Sequence, residues 1–227
     1  MKLTDLAWMS WQKTSYASSA SNYKCDDAYG TPAEPLSSLW CASLVAPLQL
    51  SEPFVIVDWG CGDGRLFNFL SERFKDFRYY GLERPGEFGA NSIARARGFF
   101  SHDPRAVFDV YGGDTEACAL KETSFVVMGS IATHLPIEQF AALLQRVMPA
   151  LPRGGTLIAS CFIEDTARLV DPAVYGHADC YGFVSYTRDQ LENVCSKHKL
   201  CFDISDTFTA ACGSFHQILK LTAAATV

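Results

Sequence analysis

Long apolar runs are missing from this chain. No stretch reaches the length that a membrane-spanning helix needs, so a membrane is not an expected partner. The opening residues, Met-Lys-Leu-Thr-Asp-Leu, lack the extended apolar core of a signal peptide, which makes the cytoplasm the expected location. Charge is scarce as well: charged residues make up 19% of the chain, the net charge is −6, and there is no basic stripe. Nucleic acid is therefore not expected either. Nine cysteines occur, but Cys-x-x-Cys does not, which excludes a zinc ribbon. Their odd number and their scatter from Cys25 to Cys212 argue against a disulfide framework and for small buried hydrophobes. His, Cys and acidic residues nowhere cluster at metal-ligand spacing, so no metal is expected. Internal repeats are absent.

What is present is the composition of a globule: 48% hydrophobic over 227 residues, enough for one α/β domain with some decoration. The most informative stretch runs Val55-Ile-Val-Asp58-Trp59-Gly60-Cys61-Gly62-Asp63-Gly64-Arg65. An apolar run ends in an acid, three glycines alternate with other residues, and an amphipathic segment follows. That order predicts a buried strand, a tight turn whose backbone a ligand can approach, and a helix start. It is not the Gly-x-Gly-x-x-Gly of dinucleotide sites, because Arg65 stands where the last glycine would be.

Residues 65–75 place Leu66, Phe69, Leu70 and Phe74 on one helical face. Strands are predicted at 77–82, 106–111, 124–131 and 156–162, with helices at 88–98 and from Pro136 to about Met148. Alternating strands and helices imply a parallel sheet covered on both faces. Residues 163–186 show little periodicity and read as an insertion or lid. Thr187 caps a helix ending near Lys199, and 200–207 with 214–222 read as an antiparallel hairpin. Residues 1–52 carry Trp8, Trp11 and Trp40 and are expected to cap the ligand edge of a core spanning 53–227, within a single domain overall.

The acid followed by alternating glycines resembles motif I of the class I S-adenosylmethionine-dependent methyltransferases, and further matches extend over roughly residues 53–222. The resemblance implies a Rossmann-like α/β fold: a mostly parallel seven-stranded sheet with a C-terminal antiparallel hairpin, helices on both faces and an N-terminal helical cap. Glu83, at the end of the second strand, matches the acid that binds both ribose hydroxyls of the cofactor, S-adenosyl-L-methionine. A carboxylate suits that task because a vicinal diol offers two donors to a planar pair of acceptors. Asp114 matches an acid that accepts from the adenine amino group, with Gly113 letting the base lie close. Ser130-Ile-Ala-Thr-His134-Leu-Pro resembles the Ser-x-x-Thr-His-Leu after the fourth strand of many members, and Leu151-Pro-Arg-Gly-Gly resembles the Leu-Lys-Pro-Gly-Gly before the fifth. Tyr16-x-x-x-Ala20-x-x-Tyr23 is similar to an N-terminal segment whose tyrosines close over the methionine end. The implied cofactor set is Tyr16, Tyr23, Asp58, Gly60, Cys61, Gly62, Asp63, Glu83, Arg84, Gly113, Asp114, Thr115 and Ser130. Two departures mark a divergent member: no acid precedes Val126 in Ser124-Phe125-Val126, and Arg153 replaces a proline.

Several of these residues also admit a plain structural role. Asp58 either contacts the ligand or accepts turn N–H groups, the favoured expectation; Asp63 either reaches the cofactor's ammonium or is a solvated turn acid. Cys61 and Trp59 are expected to pack rather than react or stack on the cofactor. His134, at a strand's carboxyl edge, is a candidate general base, with helix capping or a backbone hydrogen bond as its alternative. His177, in the lid, is the second candidate; His216 is expected to be structural. Glu164 and Asp165 either orient an acceptor or face solvent. The function implied is transfer of a methyl group to an oxygen or nitrogen atom of a small molecule by in-line displacement. Rival readings are a protein methyltransferase, a thiol or arsenic methyltransferase, and a non-catalytic member of the fold.

Overall fold

The structure, a computed structural model, describes residues 35–152, 154–170, 183–208 and 215–223. Helix α1 (Pro35–Val45) and a 3-10 turn (Ala46–Leu48) precede β1 (Phe54–Trp59), α2 (Arg65–Ser71), β2 (Phe77–Glu83), α3 (Glu87–Phe100) and β3 (Ala106–Val110). Next come α4 (Asp114–Glu122), β4 (Phe125–Met128), a 3-10 turn (Ala132–His134), α5 (Ile137–Val147) and β5 (Thr156–Cys161). The order closes with β6 (Arg168–Val170), β7 (Phe183–Ser185), α6 (Arg188–Lys197), β8 (Leu200–Phe208) and β9 (Phe215–Ala223).

Seven strands form one sheet in the order β3-β2-β1-β4-β5-β9-β8. Strands β1 to β5 pair parallel with one another, whereas β9 pairs antiparallel with both β5 and β8. The inner strands read as continuous apolar runs because helices bury both faces. Alternation then sends successive side chains to opposite sides. Ile56, Tyr79, Val127 and Ile158 pack with Leu44 of α1, Phe67 and Leu70 of α2 and Ile93 of α3. Val57, Tyr80, Val126 and Leu157 pack with Ala119 of α4, Phe140 and Leu144 of α5 and Leu191 of α6. Each large apolar side chain so buried contributes about 1.5–3 kcal/mol. Strand order reverses between β1 and β4, and the crevice outside the carboxyl ends of such strands is where an open α/β sheet binds ligands.

Some element boundaries differ from the sequence expectation. The fourth strand stops at Met128 instead of running to Ile131, because Ser130 takes φ +59° and turns the chain outwards. Helix α2 ends at Ser71, where a turn with the Phe74 N–H donating to Leu70 O replaces its last residues. Phe74 still packs, its ring 5.1 Å from that of Phe54. Part of the expected insertion is regular: β6 and β7 pair antiparallel, Arg168 opposite Ser185. The Thr187 cap is a full capping box, in which Thr187 and Gln190 satisfy each other's backbone N–H groups.

Candidate functional site

The glycine turn after β1 is held from beneath. The N–H groups of Gly60 and Cys61 donate to Leu82 O at 2.7 and 3.2 Å, and Gly60, Gly62 and Gly64 all adopt positive φ, +84°, +53° and +90°. A Cβ on Gly60 would collide with Ile131 Cδ1, whereas one on Gly62 would meet none of the described residues within 4 Å. The middle of the turn is therefore open. The Gly62 N–H donates to Glu83 Oε2 at 2.9 Å, and the Arg84 N–H donates to Glu83 Oε1 at 2.8 Å. Glu83 itself is 6% exposed. Burial pushes its carboxyl up from the ordinary range, while the two N–H groups pull it back.

Asp58 does not cap this turn, contrary to the favoured expectation. Its Oδ2 accepts the Tyr79 hydroxyl at 2.6 Å from the neighbouring strand. Gly81, opposite Asp58 in register, leaves space for that reach: a Cβ there would lie 2.9 Å from the Tyr79 ring. Burial pushes the Asp58 carboxyl up to about 7, against the Tyr79 hydrogen bond and with the Glu83 charge. The same burial, reinforced by Asp58, Glu83 and Asp63, drives the Cys61 thiol well above its usual range, which suits a packed residue and not a nucleophile. Asp63 pairs with Arg95, whose Nη2 and Nε lie 2.7 and 3.0 Å from Oδ1. Trp59 is buried and stacks on Tyr111 at 5.2 Å.

The turn after β3 is pinned by acids on either side of it. Asp109 accepts the Thr115 hydroxyl at 2.6 Å, and Glu116 accepts the Gly112 N–H at 2.6 Å. Asp114 is exposed at the first position of α4, next to Gly113. Sequence reasoning passed over Glu116, Tyr79 and Arg95. Only Tyr79 left a readable trace, as a polar-tipped ring in a buried strand two residues before Gly81.

A third group of residues comes from β4, β5 and β9. The Ser130 N–H donates to Ser160 Oγ at 2.7 Å and the Thr133 hydroxyl donates to Ser130 O at 2.8 Å. His134 ends the 3-10 turn, half-buried, with its N–H donating to Ile131 O at 3.0 Å. The buried Tyr186 hydroxyl fixes this turn, lying 2.7 Å from Ala132 O and 2.6 Å from Leu135 O. Because β9 runs antiparallel, its first residues return to the same edge. His216 there is 5% exposed between the rings of Phe162 at 4.3 Å and Trp40 at 5.1 Å. Burial, aided by the charge of His134, depresses the His216 imidazole to about 4. Glu164 is engaged by Ser185 at 2.8 Å and Arg168 at 2.9 Å, while Asp165 faces solvent. Tyr16, Tyr23 and His177 lie outside the described residues. Among the described residues, no group of His, Cys, Asp and Glu could hold a metal, and no helix is long and apolar enough to cross a membrane.

No family model matches the chain, and no curated protein matches it in sequence. Solved structures do match. A 1,6-didemethyltoxoflavin-N1-methyltransferase from Burkholderia thailandensis, with bound 1,6-didemethyltoxoflavin and S-adenosylhomocysteine, is 16% identical, with 97% of this chain and 89% of that one covered at a TM-score of 0.62. The glycopeptide N-methyltransferase MtfA complexed with sinefungin is 14% identical, over 83% and 87%, at 0.60. The CcbJ methyltransferase from Streptomyces caelestis is 16% identical, over 84% and 91%, at 0.58. The chain has a Rossmann-like methyltransferase fold. Within that methyltransferase fold, Glu83 ends β2, and the glycine turn, the 111–113 turn and the His134 turn follow carboxyl ends of parallel strands, at the edge where such sheets bind ligands.

Proposed function

We propose that this chain is an S-adenosyl-L-methionine-dependent methyltransferase that acts on an oxygen or nitrogen atom of a small molecule. One observation carries the reading: a buried carboxylate, Glu83, ends β2 and bonds to Gly62 in the open middle of the glycine turn. The residues fit the cofactor's chemistry. Each Glu83 oxygen accepts one N–H, and a carboxylate offers about four lone-pair sites, so two remain for a vicinal pair of ribose hydroxyls. The space beside Gly62 admits a ligand against the backbone.

On this reading Gly60, Cys61, Gly62 and Asp63 border the methionine portion, Glu83 and Arg84 the ribose, Gly113, Asp114 and Thr115 the base, and Ser130 the reacting end. When bound, the cofactor supplies a methyl group on a positively charged sulfur. The chain's part is to align an acceptor atom with that methyl and to exclude water. His134, on a turn that Tyr186 braces, would take the proton from an acceptor hydroxyl or amine. A small-molecule acceptor is supported by the Burkholderia thailandensis structure, which holds 1,6-didemethyltoxoflavin, at 97% coverage of this chain.

The test is incubation with methyl-labelled S-adenosylmethionine and a panel of phenols, hydroxylated heterocycles and amines. The expected result is label on one acceptor class with equimolar S-adenosylhomocysteine. Label transferred only to added proteins would replace the small-molecule reading with a protein methyltransferase.

A further inference from the structure

The β3–α4 turn has a support that the sequence does not announce. Glu116 lies in the first turn of α4, where a carboxylate is favoured by the helix's N-terminal N–H groups, yet it is only 6% exposed. Its Oε2 accepts the Gly112 N–H at 2.6 Å and an Arg146 Nη2 proton at 2.5 Å, Arg146 reaching over from α5. The Arg146 guanidinium also lies 5.6 Å from the Trp59 ring and 5.9 Å from the Tyr111 ring, which stack on each other. On the other side, the Tyr111 N–H donates to Glu83 O at 2.9 Å. Residues 111 and 112 are thus pinned twice: to the backbone of the residue assigned to the ribose, and to the buried carboxylate of Glu116, which the half-exposed Arg146 pairs.

The sheet order gives this a direction. Strand β2 lies between β1 and β3. A nucleoside whose ribose sits on Glu83 and whose chain extends over the β1 turn must lay its base over the β3 turn. Gly112 and Gly113 are open there, a Cβ on either meeting none of the described residues within 4 Å.

Resting on the proposed function, we infer that Glu116 is a positioning residue for the nucleobase. With Arg146 it sets the 111–113 turn so that the exposed Asp114 beside it can select a base carrying an exocyclic amino group. Glu116 touches no ligand itself; it acts through Gly112.

Two ligands test this: S-adenosylhomocysteine and S-inosylhomocysteine, which carries oxygen in place of the 6-amino group. The wild-type chain should prefer the adenosyl ligand. Glu116→Ala should weaken that ligand about tenfold and the inosyl ligand less than threefold. In the protein without added ligand, the Gly112 amide should lose its protection from hydrogen exchange. Glu116→Gln, which keeps an acceptor for Gly112, should restore the protection and the preference. If Glu116→Ala does not fold, Arg146→Leu, at a side chain 46% exposed, should reduce the preference about threefold. Equal losses for both ligands, or an unchanged preference, would overturn the inference alone. Failure of the wild-type chain to bind either ligand would overturn the cofactor reading, and this inference with it.

Discussion

The Glu83 carboxylate accepts the Gly62 N–H at 2.9 Å, so the end of β2 is tied to the middle of the glycine turn. The side chain therefore has two jobs, shaping the turn and offering its remaining lone pairs to a ligand. Glu83→Ala should weaken S-adenosylhomocysteine by one to two orders of magnitude, from donors left unpaired at roughly 1–3 kcal/mol. Calorimetry checks this, and an unchanged affinity would remove Glu83 from the site.

Gly60 and Gly62 should respond differently to alanine. Both need positive φ, but among the described residues only the Gly60 methyl collides, with Ile131. Gly62→Ala should lower stability by the roughly 1–2 kcal/mol of a left-handed non-glycine residue, yet abolish measurable ligand binding by filling the open space. Gly60→Ala should lose more stability than Gly62→Ala. Thermal melts and titrations of the two variants separate the effects; normal binding by Gly62→Ala would mean that the ligand lies elsewhere.

Two buried groups pull the pH dependence of stability in opposite directions. The Asp58 carboxyl is raised from 3.8 to about 7, chiefly by burial, so the folded chain binds the proton that the unfolded chain releases. Its contribution is fully present below pH 3.8 and is lost as pH rises to about 7. Asp58→Asn keeps an acceptor for Tyr79 and cannot ionise. Its Tm should therefore gain on wild type across that window, by at least ~2 °C, the effect of about 1 kcal/mol in a domain this size. The His216 imidazole is lowered from 6.5 to about 4, again chiefly by burial. Its contribution is present above pH 6.5 and is lost as pH falls to about 4, so His216→Phe should gain on wild type in acid. Tm differences that stay constant with pH would contradict both assignments.

His134→Gln tests the proposed base. Turnover should fall about 10²–10⁴-fold with S-adenosylhomocysteine affinity unchanged. A retained rate at every pH would make the residue structural. Tyr186→Phe, which releases the carbonyls of Ala132 and Leu135, should lower turnover as well, through the loosened turn.

Most of the sheet was legible in the sequence because fully buried parallel strands read as apolar runs between turn residues. Phe54–Trp59, Phe77–Glu83 and Thr156–Cys161 fall where those runs predict. Boundaries failed where a polar side chain overrode the pattern: Ile131 is as apolar as Val127, but Ser130 leaves the sheet to bond Ser160. In the candidate site, the glycine turn was marked by its own short motif, and Glu83 by its match to the family resemblance. The Asp58–Tyr79 and Glu116–Arg146 pairs were hidden because each joins residues that only the fold brings together. His216 was expected to be structural on an antiparallel strand; what the sequence did not show is that Phe162 and Trp40 would enclose it.

The central claim is a cofactor site at the glycine turn and Glu83, and titration calorimetry of the wild-type chain with S-adenosylmethionine and S-adenosylhomocysteine measures it directly. One saturable site for both ligands, in the micromolar range and lost in Glu83→Ala, is the expected result. Absence of heat with either ligand at millimolar concentration would contradict the claim and leave a methyltransferase fold put to another use.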